Sequence, residues 1–518
     1  MFKEDENRYR RVALREISAE ASCDYVLPDY LGDVRKILFT EARCLPLPTY
    51  MSGEEISTSG AVEFRMIYTD SEGRLSSVSF TEDYESSERV LSETSPEISS
   101  ESEVSSFSMR LLGPRKISAK ARVSTSARLL FDERVELCGR AAELSSLETA
   151  RRCVSAMNFL AGESSEREYA EAMAMLEGVT LEDARVIYER CESRISECRA
   201  TAGEVVVSGE HLVSAIIANC DECAELYEKS IPFSEVLKLE GVCEDMSASV
   251  SVIYPSLKIE VTPSETGVSV CASLIAEYTP SAIGNRPLEM IADGYLTDRE
   301  CECRYDRLEL ARFVDRRCFE DTEEASADPS SLSLENLESI LFTSAEARVK
   351  NVETVGGVLK ITSDIRFSGI ACEKNGDGAT TYAPIRHTVE CTKDIPLEAV
   401  SLGESCPAVS LGVSDVRGRV TDGVPVLCAR LSYLVELASK EEHRHLCEID
   451  FTSDPEEKQE DGKITVYYPD AEDTLFSVAR KFRTTSERIA IDNSLSEAAV
   501  SDGYAEGSLR GVEMLIIK

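Results

Sequence analysis

The 518-residue chain is 42% hydrophobic and sets 56 Lys and Arg against 95 Asp and Glu, a formal net charge of −39. That length has room for three or four domains with cores of their own. A field of this sign repels nucleic acid and argues against an anionic membrane surface as partner.

The opening residues, MFKEDENRYRRVALREI, lack the apolar stretch of a secretory signal, and no segment approaches the length of a membrane span. The expected location is a cytosol-like compartment, in which the 18 cysteines are mostly reduced thiols. A unit then recurs three times. The pattern L-x-[D/N]-x-x-x-I-[L/Y] occurs as Leu31-Asp33-Ile37-Leu38, Leu181-Asp183-Ile187-Tyr188 and Leu334-Asn336-Ile340-Leu341, 150 and 153 residues apart. ILFTEAR from Ile37 is echoed by ILFTSAEAR from Ile340. We expect one short helix at each site.

Alternating strands follow, beginning at Ile56, Val205 and Leu359, with branched and aromatic residues on every second position. Polar turns come next as TDSEGR, NCDECAE and EKNGDG, and a second strand group closes each copy. The stretch from Glu143 to Glu197 is rich in Ala, Glu and Arg, which by propensity alone favours helix. Aligned with RVALREISAEA of the first copy, its REYAEAMAMLEG becomes a strand, and the helix shrinks to Leu181–Arg190. The expected fold is mainly β: three β domains (sandwich or open barrel) at 5–155, 156–307 and 308–450. An acidic linker at 451–462, containing SDPEEKQEDG, then tethers an independent module at 463–518.

That tail carries 7 basic and 9 acidic residues, so the acidity belongs to the larger N-terminal part. It begins with a short strand, Thr465 to Tyr467, and a turn at Pro469 and Asp470. A helix capped by Asp473 or Thr474 follows, with Leu475, Val478, Ala479 and Phe482 on one face. Thr485 and Ser486 open a second helix that ends at Asn493, and Met514 to Ile517 form the last strand.

Chemistry-bearing motifs are few. Cys220 and Cys223 form CDEC and Cys301 and Cys303 form CEC, a combination that holds zinc only if folding unites them. The turn-like setting of CDEC and the spacing of CEC favour reduced turn and strand thiols. His443, His445 and Cys447 alternate along HRHLC and read as a solvated strand end rather than a ligand row. Four His in all remove the commonest general base from most of the chain. The motifs G-x-S-x-G, G-x-x-x-x-G-K-[S/T] and H-E-x-x-H do not occur. We expect no catalytic residues, metal or cofactor.

CDYVLPDYLGDVRKIL (Cys23 to Leu38), IPFSEVLKLEG (Ile231 to Gly241), PRKISAKARV (Pro114 to Val123) and the weaker KDIPLEAV (Lys393 to Val400) resemble the SPOCS domain of spore coat assembly proteins. The β-α-α-β tail resembles the LysM domain. The layout of several SPOCS units and one C-terminal LysM resembles coat morphogenetic proteins of endospore-forming bacteria. The resemblance implies a non-enzymatic adaptor made in the mother cell, peripheral on the forespore surface. It would dock on the basement-layer ATPase of the coat and recruit other coat proteins.

Carried over from LysM modules, the ligand groove would comprise Asp473 and Thr474 on one side, and Asn493, Ser494 and Gly511 on the other. The glycan-binding form of the family has Gly where Glu472 stands, and Pro-Gly-Gln in place of Arg510-Gly511-Val512. Added bulk and charge, with the loss of an amide, favour a protein ligand. Binding of peptidoglycan or N-acetylglucosamine-containing glycan is the alternative. A wall hydrolase with a LysM anchor would need a catalytic domain among the repeats.

Overall fold

The computed structural model describes residues 7–90, 95–177, 184–218, 224–263, 267–330, 332, 334, 336–374, 380–396, 407–455, 464–470, 472–495, 509 and 512–518. The protein is mainly β. The first copy of the unit supplies β1 (Arg8–Val26), β2 (Val34–Pro46), β3 (Tyr50–Ser52), β4 (Glu55–Asp70), β5 (Leu75–Arg89), β6 (Glu97–Gly113) and β7 (Lys116–Arg134). The second supplies β8 (Leu147–Ala161), β9 (Ser165–Glu177), β10 (Arg185–Thr201), β11 (Glu204–Ala218), β12 (Ala224–Lys238), β13 (Ser247–Pro263) and β14 (Gly267–Leu296). The third supplies β15 (Glu302–Ser326), β16 (Leu337–Val355), β17 (Val358–Lys374), β18 (Thr380–Pro396), β19 (Ala408–Thr421) and β20 (Val424–Asp450).

One pairing scheme recurs. Three long strands form a meander in each copy, as β2-β4-β5 (with short β3 also on β4), β10-β11-β12 and β16-β17-β18. The opening strand of each copy returns to pair antiparallel with the last: β1 with β7, and β15 with β20. In the second copy that opening strand is divided into β8 and β9, both paired with β14. REYAEAMAMLE, through Glu177, therefore lies in β9, where partner strands overrule helix propensity. Alternate side chains of β4, β11 and β17 point inward, and each copy closes over an apolar core.

Among the described residues no helix stands at the three short motifs. Residues 34–46, 185–201 and 337–355 are strands, while 181–183 lie outside the described residues. Each strand carries a bulge, between Ile37 and Phe39, Val186 and Tyr188, and Ile340 and Phe342. The extra residue turns two neighbours inward at once and breaks the period-two signature that marks a strand. The bulges align Leu38–Phe39 with Ile187–Tyr188 and Leu341–Phe342, one residue away from the motif alignment in the second copy. Thr343, beside the third bulge, pairs with Gly369, where a Cβ would lie 2.3 Å from the Phe342 carbonyl oxygen.

These bulged pairs build the centre of the body. The rings of Phe39, Tyr188 and Phe342 meet as a triangle with centroids 5.1 to 5.6 Å apart, ringed by buried Leu38, Ile187, Leu341 and Ile370. Arginines then tie each copy to another. Arg43 of β2 donates to the Tyr254 carbonyl of β13 (2.8 Å), Arg194 of β10 reaches Asp415 of β19 (3.4 Å), and Arg348 of β16 donates to the Val104 carbonyl of β6 (2.9 Å). First copy to second, second to third, third to first: the body closes on itself. Positions 155/156 and 307/308 fall inside the continuous strands β8 and β15.

The tail folds as β21 (Thr465–Tyr467), α1 (Leu475–Lys481), α2 (Ser486–Asp492) and β22 (Leu515–Ile517), with β21 and β22 antiparallel. Among the described residues no helix is long and apolar enough to cross a membrane. The tail is not free of the body, as a tethered module would be. Tyr295 and Ala150 belong to the same buried cluster as Leu475, Phe476, Val478 and Ile489. Residues 456–462 of the expected linker lie outside the described residues; before them, Phe451 lies under the guanidinium groups of Arg140 and Arg299, at 5.0 and 4.4 Å.

Candidate functional site

The tail is built from its caps inward. Thr474 sits at extended φ,ψ before α1; its Oγ1 accepts from the Ser477 N–H (3.0 Å), and the Ser477 hydroxyl accepts from the Thr474 N–H (2.9 Å). This reciprocal capping box satisfies two orphan donors. Asp473 latches the preceding loop, accepting from the Tyr467 hydroxyl at 2.6 Å and the Asp470 N–H at 2.9 Å. Those two hydrogen bonds, the hydroxyl first, hold its carboxyl below the usual range. Thr485 caps α2 through the Arg488 N–H.

Asn493 does more than end α2. Its Oδ1 accepts from the Ile516 N–H (2.6 Å), while its Nδ2 donates to the carbonyls of Ile516 and Ile489 (both 2.8 Å). The side-chain amide thus extends the edge of β22 as a backbone would. Ser494 follows with φ +52°, and its N–H reaches the Ile491 carbonyl. Gly511 lies outside the described residues. The four described groove positions therefore flank α1 and α2, and three of their side chains, Asp473, Thr474 and Asn493, are spent on hydrogen bonds within the tail.

A different surface is open. Residues of one parity on β21 and β22 turn away from the helices, and Val466 stands directly opposite Ile516. Ile464, Val466, Tyr468 and Met514 are 64%, 49%, 69% and 52% exposed. Four apolar side chains on the outer face of one small two-stranded sheet exceed ordinary scattered exposure. In the sequence this face is visible as Ile464, Val466 and Tyr468 on one parity, alternating with Thr465 and Tyr467.

The tail meets the body along α1 and the turn after it. Phe476 packs edge-on against Tyr295, 5.1 Å between centroids, and the Tyr295 hydroxyl donates to the buried Thr484 carbonyl at 2.7 Å. Arg480 pairs with Asp293 (2.8 Å) and Arg483 with Glu300 (2.9 Å). The sequence offers one sign of this junction: Phe476 is a large apolar residue off the face shared by Leu475, Val478 and Ala479.

Cys301 and Cys303 lie beside the same junction, half-buried, with Sγ atoms 3.9 Å apart. Cys220 and Cys223 lie outside the described residues, and among those described no group of three or more His, Cys, Asp or Glu could hold a metal ion. HRHLC is not a solvated strand end. His443 and His445 are buried on β20, and burial lowers the pKa of both imidazoles. The cause is the packing of β8 and β14 of the second copy against the β15-β20 pair, over a segment that sequence places at a domain edge.

Two polar features remain within the body. A cleft of about 410 Å³ between the first and second copies is lined by Glu41, Arg43, Arg65, Arg190, Glu192 and Tyr254. Its charges have partners in or beside the cleft: Arg190 with Glu192, Arg65 with Glu63 (3.0 Å), and Glu41 with the Tyr188 hydroxyl (2.8 Å). Behind it, fully buried His211 sits between the hydroxyls of Tyr254 and Tyr278, at 2.9 and 3.0 Å. The chain continues through Tyr169 to Glu235, each step 2.8 Å. Burial pushes the His211 pKa down to about 4. The same register holds Val62 in β4 and Ile365 in β17, so this polar staple belongs to the second copy alone.

Among protein-family models, curated proteins and solved structures, none matches the chain.

Proposed function

We propose that the protein is a non-enzymatic structural adaptor of spore coat assembly. In this reading the body comprises three SPOCS-like units and the tail is a LysM-like module. The chain works in the mother cell, on the forespore surface, where the tail docks on the basement-layer ATPase of the coat and the acidic body recruits further coat proteins. Its mechanism is affinity and placement.

The observation that carries the reading is the division of labour within the tail. Groove side chains are engaged in caps and clips, whereas Ile464, Val466, Tyr468 and Met514 offer an apolar face to a protein surface. A sugar ring would instead need free amides and hydroxyls in the groove. The charges of the inter-copy cleft are engaged by partners in or beside it, which suits an architectural role better than a reactive one.

The test is a titration of the full chain with the basement-layer ATPase and, separately, with N-acetylglucosamine oligomers. The reading predicts binding to the protein and none to the oligomers. Oligomer binding without ATPase binding would replace it with the glycan-binding alternative.

A further inference from the structure

The CEC pair sits at the point where the tail is held. Cys301 follows Glu300, the partner of Arg483. The Cys303 thiol donates to the Gly294 carbonyl at 3.4 Å, and Gly294 lies between Asp293, the partner of Arg480, and Tyr295, the partner of Phe476 and Thr484. Tyr305, two residues beyond Cys303, donates to Asp293 at 2.5 Å. Every polar contact named at the junction therefore runs within two residues of one of the two thiols or of Gly294.

We propose that Cys301 and Cys303 are a redox-modification site: a dithiol that a low-molecular-weight disulfide converts to an intramolecular disulfide, loosening the tail from the body. The sulfurs are close enough for the second step of exchange. Cys301 precedes the regular part of β15, outside its ladder, whereas Cys303 lies within it. Once Cys301 ionises, the single Cys303 proton turns from the Gly294 carbonyl to the Cys301 sulfur and favours its thiolate; the Leu296 N–H and the Arg480 charge act in the same direction, against burial. The nucleophile is therefore Cys301.

The chemistry balances. The Cys301 thiolate attacks one sulfur of the disulfide RSSR, breaking its S–S bond and releasing one RSH with the proton taken up from solvent. Cys303, giving up its own proton, attacks the Cys301 sulfur of the mixed disulfide and releases the second RSH. Two protein thiols lose two electrons, and RSSR gains them.

The mechanical consequence follows from spacing. Residues two apart on extended chain have Cα atoms about 6.6 Å apart, near the top of the range a disulfide spans, and the sulfurs must close to about 2.05 Å. The chain before β15 has to pucker, which draws Glu300 away from Arg483 and frees the carbonyl of Gly294 from the Cys303 thiol. This site acts whatever the tail binds.

The test uses the full chain treated with glutathione disulfide. Trypsin yields the peptide Glu300–Arg304, and mass spectrometry should show it lighter by two hydrogens. Hydrogen exchange at residues 293–299 and 474–486 should speed at least tenfold, and dithiothreitol should reverse both changes. Cys301→Ser/Cys303→Ser should keep the slow exchange in oxidant. The single variants Cys301→Ala and Cys303→Ala, which cannot close the ring, serve if the double variant misfolds and should also stay slow. A peptide that remains reduced or carries two glutathiones overturns the proposal. So does a closed disulfide with unchanged exchange, or faster exchange in the single variants.

Discussion

The two junctions of this molecule are built differently. At the centre of the body, three copies contribute one bulged strand each, three aromatic rings and a closed circuit of arginine contacts. At the tail, Tyr295, Phe476 and two exposed or half-exposed ion pairs make the contact. The first junction is a core and cannot be opened without unfolding the copies that form it. The second is small, and the described residues on its tail side carry their own caps and strand clip. The difference separates a scaffold that must persist from a module that can leave it.

The sharpest way to break the comparison is at the central triangle. Phe342→Ala leaves a cavity shared by three copies and should destabilise the whole body by about 3–5 kcal/mol. Denaturant unfolding followed by far-UV circular dichroism reads it as one cooperative shift; loss of the third copy alone would show that the copies fold separately.

Acidification probes the body in another way. His211 binds its proton with a pKa of about 4 when folded and about 6.5 when unfolded. The unfolded chain thus holds more protons between those values, so stability is full above the higher pKa and is lost as pH falls toward the lower. The site should contribute up to about 3 kcal/mol of that loss. His211→Leu should flatten the pH dependence while costing about 1–3 kcal/mol at pH 7, because two buried hydroxyls lose their partner. Urea midpoints measured from pH 7 to 4 check both effects.

At the tail the effects are smaller and local. Tyr295→Phe removes one buried hydrogen bond and should weaken docking by about 1 kcal/mol, leaving the body transition unmoved. Thr474→Ala removes the cap of α1 and should cost the tail about 1 kcal/mol. Hydrogen exchange of α1 reports each, and a body transition displaced by either variant would mean that the two junctions are coupled.

The sequence discloses these regions unequally. Alternation within β4, β11 and β17 exposes the sheets, and the repeat alone rescues β9 from its helical composition. The bulges escape notice because two inward neighbours resemble a helical face, and so the residues of the central triangle read as helix. The tail elements are legible from Thr474, Thr485 and Asn493, whose side chains do what caps and clips do. Its docking on Tyr295 is not legible, since the partners are more than 180 residues apart, like the hydroxyl of Tyr295 and Thr484 with a separation of 189. The burial of His443 and His445 is hidden for the same reason: β8 and β14, which pack over that face, are remote in the chain.

The account rests on the outer face of the tail sheet as the docking surface. Affinity of the full chain for the basement-layer ATPase, compared with that of Val466→Asp/Tyr468→Asp, measures it directly. The predicted result is a loss of at least tenfold with the exchange protection of α1 and α2 retained. Unchanged affinity in that variant, with loss on substitution of Ser494 instead, would return the binding site to the groove.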